Sequence, residues 1–253
     1  MKNLYYCLIF FLAFFSILTL PLEAAGDEDK LSASVTWGLE MYSGWQADTE
    51  GQGCGYIGAG LDRNVSDHWA LTAKVFSSYL YYKYESEPGI VKAKAPGLKL
   101  QVGTKYFDRG TYLIITGGLD YRDTSLRPDD KGSNVRGSRA GVIFEALYSR
   151  DLSERVVVEL IGSYSTIGDT LWGRGRLKHL VSSLSGGKTN QKVFVGIEGV
   201  GQGNSDYSAS QIGAFAEIQR IKEQFSVLLS AGYKHSNSIS SLGYIAIEFY
   251  RRF

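Results

Sequence analysis

Cysteine is almost missing from this chain of 253 residues, which has only Cys7 and Cys54. Cys7 lies in an N-terminal apolar run, so a processed chain keeps one thiol and forms no internal disulfide. Proline (4 residues) and histidine (3) are also scarce. His68, His179 and His235 stand far apart, and no metal-ligand spacing links them to other ligand types. An excess of one charge is lacking too: 27 Lys and Arg meet 26 Asp and Glu. Nothing in that balance points to a nucleic-acid partner. Beyond residue 25, no apolar run reaches the about 20 residues that a membrane-spanning helix needs.

The N-terminus explains its own apolar run. Lys2 precedes an almost wholly apolar stretch from Leu4 to Leu20, and Pro21 breaks it ahead of Leu22-Glu23-Ala24-Ala25. This is the layout of a signal peptide over residues 1–25, cleaved near Ala24 or Ala25, ahead of one exported domain over 26–253. Cleavage removes Lys2 and Glu23, so 27 and 26 become 26 and 25 and the net charge stays +1.

Glycine (30) and tyrosine (17) are abundant, and apolar residues recur at every second position. Leu31, Ala33, Val35, Trp37, Leu39 and Met41 share one face, against Ser32, Ser34, Thr36, Gly38 and Glu40. Ile245, Ile247 and Phe249 likewise oppose Tyr244, Ala246, Glu248 and Tyr250. About twelve such segments follow one another, each reading as a strand with one apolar face. A sheet in lipid must close on itself, because hydrocarbon cannot pair with backbone N–H and C=O groups. The chain ends on Phe253, the terminal residue type that outer-membrane barrels present to their assembly machinery. The usual apolar residue two places earlier is here Arg251. The fold expected is all-β, a transmembrane antiparallel up-and-down barrel of about 12 strands, with outer-membrane lipid and the barrel assembly machinery as partners. A soluble periplasmic β-sandwich or barrel alternates too, but with its charges outward.

With the N-terminus in the periplasm, outer loops are expected at Gln46–Gly53, Glu85–Lys94, Asp123–Asn134, Thr166–Thr170, Gln202–Ser208 and Ser236–Ser240. Inner turns are expected at Asn64–His68, Asp108–Gly110, Arg150–Glu154, Ser182–Gln191 and Ile221–Glu223. An Arg or Lys in the hydrocarbon midplane costs about 2–4 kcal/mol, so the strand charges are expected inside. The cations are Lys74, Lys99, Lys105, Arg122, Arg139, Arg174, Arg176, Lys178 and Lys234. The acids are Glu40, Asp120, Glu145, Glu159, Glu198, Glu217 and Glu248. They either brace the wall as pairs or line a polar pore, with Arg174, Arg176 and Lys178 as its basic stripe.

The most distinctive text is Leu119-Asp120-Tyr121-Arg122-Asp123-Thr124-Ser125-Leu126-Arg127-Pro128-Asp129-Asp130, then Ser133 to Gly141, Leu160 to Thr166, Leu171-Trp172-Gly173-Arg174-Gly175-Arg176, and Gly196 to Asn204 with Tyr207 and Gln211 to Phe215. In this order it resembles the BcsS family of cellulose biosynthesis proteins over most of the exported chain. The resemblance implies an outer-membrane protein tied to cellulose production, with cellulose or cellulose-synthase components as partners. It carries over no catalytic residue, metal or cofactor. Candidate lumen or polysaccharide contacts are Asp120, Arg122, Asp129, Asp130, Arg136, Arg139, Glu145, Trp172, Arg174, Arg176, Glu198 and Tyr207. Charged groups make strong hydrogen bonds to hydroxyls, and flat aromatic faces suit sugar rings. The rival reading for the Asp129–Arg136 region is a loop pinned by its own Asp–Arg pairs.

Two further classes stand beside this one: a general solute channel or structural barrel, and a lipid-modifying enzyme. His235 and Ser236 are residue types that a membrane lipase uses, but neighbours on a strand point to opposite faces. Gly199-Val200-Gly201-Gln202-Gly203 lacks the following helix of a phosphate loop.

Overall fold

The computed structural model describes residues 37–253, apart from 88, 187–188, 205–206 and 238–241. The expected signal peptide and the first residues of the expected opening strand lie outside the described residues.

Twelve strands form one closed antiparallel barrel, each paired with its sequence neighbours, and β1 paired with β12. They are β1 (Trp37–Asp48), β2 (Gly53–Asn64), β3 (Trp69–Ser86), β4 (Gly89–Asp108), β5 (Thr111–Arg127), β6 (Gly137–Ser153), β7 (Val156–Ser165), β8 (Thr170–Gly186), β9 (Thr189–Gly203), β10 (Ser208–Arg220), β11 (Phe225–Ser236) and β12 (Leu242–Arg252). A single 3-10 turn, Ile167–Asp169, links β7 to β8. The seam between β1 and β12 holds to the last residue: Phe253 N donates to Leu39 O at 2.7 Å. Arg251 points outward with its guanidinium 4.5 Å from the centroid of the Phe253 ring.

The faces follow the alternation. Leu71, Val102, Ile115, Leu119, Val142, Phe144, Leu160, Ile197, Ile212 and Ile245 lie exposed on the exterior, while Glu40, Asp62, Lys74, Lys105, Asp120, Arg176, Glu198 and Glu217 are buried inside. A wall of exposed apolar side chains around a charged interior is the solution for a sheet surrounded by hydrocarbon.

Tyrosine divides between the faces. Tyr79, Tyr164 and Tyr233 are exposed outside, but Tyr84, Tyr207 and Tyr244 are buried within. Inward glycines make room for inward rings. Tyr42 lies opposite Gly58, and Gly44 opposite Tyr56. A β-carbon at Gly58 would collide with the Tyr42 ring. Both tyrosines stack on Phe76, at 6.1 and 5.4 Å between centroids, and the Lys99 ammonium sits 4.9 Å over that ring.

Two expected connections are corrected. Glu85–Lys94 is expected as an outer loop, but β3 runs to Ser86 and β4 begins at Gly89. Ser182–Gln191 is expected as a long inner turn, but β8 runs to Gly186 and β9 starts at Thr189. In both, strand pairing continues where the expected membrane pattern stops. β3 and β4, at 18 and 20 residues, are about twice the 9–11 residues a membrane strand requires. Their surplus projects from the end opposite Trp37 and Phe253.

Candidate functional site: a braced lumen and a covered mouth

Arg174 and Arg176 leave β8 on its inner face and cross to β12. Arg176 donates Nη2 to Glu248 Oε1 at 2.6 Å and Nη1 to Glu248 Oε2 at 3.1 Å. Arg174 Nη1 reaches the same carboxylate at 2.6 Å. Arg176 Nε also holds Glu198 Oε2 at 2.8 Å, and the Tyr244 hydroxyl donates to the other Glu198 oxygen at 2.9 Å. Lys178 bridges Glu159 and Glu217, each at 3.0 Å. One buried guanidinium therefore ties β8, β9 and β12 together, with Lys178 extending the net to β7 and β10. Buried charge is tolerable when paired and hydrogen-bonded like this.

Smaller braces join other strands. Lys105 on β4 holds Glu40 at 2.8 Å and Asp62 at 2.7 Å. Lys74 reaches Glu145 at 3.4 Å. Asp120 accepts from Ser165 Oγ at 2.6 Å and from Arg122 at 3.2 Å. Lys234 pairs with Asp48 at 2.9 Å. Trp172 faces inward, with the Arg174 guanidinium 5.7 Å from its ring centroid.

The mouth at the end opposite Trp37 and Phe253 is covered. The β3–β4 extension brings Tyr84, Val91 and Ala93 against Tyr207 and Ala209 of the opposite wall, all buried, with Tyr82 and Leu126 beside them. The Tyr82 and Tyr207 rings lie 5.5 Å apart. Two hydroxyls latch this lid to Asp130: Ser86 Oγ donates to Oδ2 at 2.7 Å and Tyr84 OH at 3.1 Å. The Ser86 hydrogen bond is the largest influence holding the Asp130 carboxyl below its ordinary range. Asp129 is held low in the same way by Arg136, which grips it at 2.6 and 2.8 Å. Arg139 has inner-face parity but stands exposed at the rim, with Nε donating to Arg136 O at 3.2 Å. At the other end, an open cavity of about 550 Å³ is lined by His68, Asp108 and Tyr112 among others. A second, of about 300 Å³, reaches inward to Glu159 and Lys178.

The twelve candidate residues thus fall into three groups and not one site. Trp172, Arg174, Arg176 and Glu198 meet at the central brace. Asp120, Arg122 and Glu145 line another sector of the wall. Asp129, Asp130, Arg136, Arg139 and Tyr207 belong to the mouth. Asp48 and Asp62 are lumen acids that the sequence reading missed. Asp48 falls in the expected loop Gln46–Gly53, and Asp62 on β2 is not among the acids expected inside.

His235 is exposed on the outside and Ser236 buried inside, so they cannot act on one another. His179 faces out, and His68 Nδ1 lies 3.0 Å from the Phe107 carbonyl. Among the described residues, no group of three or more His, Cys, Asp or Glu is arranged to hold a metal ion.

Solved structures similar to this fold include the beta domain of the Bordetella autotransporter Brka, at 16% identity and TM-score 0.54, covering 86% of this chain and 98% of that one. An outer-membrane channel from Pseudomonas putida F1 has 13% identity and TM-score 0.53, covering 90% of this chain and 99% of that one. These show the fold of outer-membrane barrels. A search of curated proteins finds no match. The family model described as cellulose biosynthesis protein BcsS matches residues 38–253, and the chain belongs to that family.

Proposed function

We propose that this protein is an outer-membrane accessory of bacterial cellulose biosynthesis that organises polymer at the cell surface, with its lumen shut at rest. The leader ending near Ala24 or Ala25 directs export, and Phe253 engages the assembly machinery. Family membership supports the cellulose link. The observation that carries the closed lumen is the Arg174–Glu248–Arg176 brace, which spans the interior between β8 and β12. The exposed rim of Asp129, Arg136 and Arg139 offers polar hydrogen-bonding groups to sugar hydroxyls.

The test pairs cells with a reconstituted barrel. The intact protein is expected to show no sustained conductance in a planar bilayer, with or without cello-oligosaccharide. Asp129→Ala with Arg136→Ala is expected to lower surface-retained cellulose without changing barrel content. Steady conductance that cello-oligosaccharide blocks would replace the organiser with a pore. A second reading, a gated export pore, is favoured by one observation: the lid is latched by two hydroxyls on a single carboxylate.

A further inference from the structure

The outer face of the β3–β4–β5 extension has a charge order that nothing inside the protein requires. Lys83 lies directly opposite Lys92, and Lys92 directly opposite Arg127. Three cations therefore stand in a row across three strands, at the roughly 4.8 Å spacing of a sheet. Lys94 follows on the same face of β4, two residues along. Like charges directly opposite one another weaken a sheet, so the row calls for a counter-charge.

The protein supplies little of it. Lys83 meets Glu50 at 3.4 Å, and that carboxylate is half exposed. Glu85 and Asp123 share the face, and Asp123 accepts from Ser138. Among the described residues, no carboxylate forms an ion pair with Lys92, Lys94 or Arg127.

The depth of the row is equally specific. Down the same faces come Tyr79 and Tyr81 on β3 and Tyr121 on β5, then Leu71, Val75, Leu98, Leu100, Val102, Ile115 and Leu119. Hydrocarbon, aromatic belt and the Lys83–Lys92–Arg127 row thus succeed one another outward from the midplane, with Lys94 level with the belt, directly opposite Tyr81. Lys83 lies two positions beyond Tyr81, roughly 7 Å along the strand. Tyrosine belts mark the level where lipid meets water, which puts the cations at the headgroups.

We propose that Lys83, Lys92, Lys94 and Arg127 form a docking site for phosphate-bearing glycolipid headgroups of the outer leaflet. Several ammonium and guanidinium groups converge there on a compact multivalent anion. The proposal needs the lid end of the barrel to face outward, and it is independent of any role in cellulose production.

The test uses the full-length barrel reconstituted with bisphosphorylated lipid A, dephosphorylated lipid A, or neither plus inorganic phosphate. Lipid retained through detergent exchange is read by mass spectrometry of the intact complex. Bisphosphorylated lipid A should be retained and the dephosphorylated form lost. Lys92→Gln, Lys94→Gln and Arg127→Gln together should weaken retention about a hundredfold. Arg155→Gln, in a turn at the opposite end, should leave it intact. Equal retention by the triple variant, or of the dephosphorylated lipid, overturns the proposal. So does saturation by inorganic phosphate with no preference for lipid. Because the substituted side chains are exposed, unchanged heat-modifiability on gels will show that the triple variant still folds.

Discussion

Arg176 and Glu248 face each other across the lumen as a two-pronged pair, with Nη1 donating to Oε2 and Nη2 to Oε1. The Arg176 side chain is 3% exposed and that of Glu248 21%. Glu248→Ala strands two arginines on the inner wall. Breaking one partner of a buried pair costs about 3–5 kcal/mol, and the surviving Glu198 contact favours the lower end. Urea unfolding in detergent should show this loss. Arg176→Met with Glu248→Leu should recover only part of it, because Arg174 loses the same carboxylate and Glu198 loses its guanidinium.

Cys54 faces the lumen near the covered mouth. It is the sole thiol among the described residues and so reports on the lid. Tyr84→Ala removes a buried ring and one latch together. Labelling of Cys54 by a bulky polar thiol reagent should accelerate about tenfold or more. An unchanged rate would mean that the lid does not control access.

The latch also sets a pH dependence. The latched Asp130 carboxyl sits below its ordinary range, chiefly through the Ser86 hydroxyl. A group with a depressed pKa stabilises the latched form above the ordinary carboxylate range, about pH 4, and loses that contribution as pH falls through the depressed value. The mouth should therefore stay shut at pH 5 and loosen only below about pH 4. Cys54 reactivity toward a dithiodipyridine, which reacts in acid, will trace the transition. Asp130→Asn should flatten the profile.

Gly58→Ala places a methyl against the Tyr42 ring. Overpacking of this kind costs about 1–3 kcal/mol, measurable as a lower unfolding midpoint. Adding Tyr42→Ala should restore part of the loss, because the space is then shared differently.

Strand number and facing could be read directly from the chain, since lipid outside and charge inside enforce strict alternation. The β3–β4 extension escapes the alternation rule for a physical reason. At Val91, Lys92, Ala93, Lys94 and Ala95 the alternation persists with its polarity reversed. The apolar members point in, toward Tyr207, and the lysines point out. Beyond the hydrocarbon, a polar environment replaces acyl chains outside and the lid core replaces the wet lumen inside, so the segment looks like a polar loop. The central brace was only half legible. Arg174, Arg176 and Glu198 could be chosen by parity, but their meeting with Glu248 depends on barrel curvature, which alternation does not encode.

The hydrogen bond from Phe253 to Leu39 extends the β1–β12 seam beyond Arg252. A nascent sheet one strand short would present two rows of unanswered amides and carbonyls, each costing several kcal/mol in hydrocarbon. Membrane compatibility therefore arrives all at once, when β12 pairs with β1, and a product lacking β12 would be stranded outside the bilayer as a substrate for proteolysis.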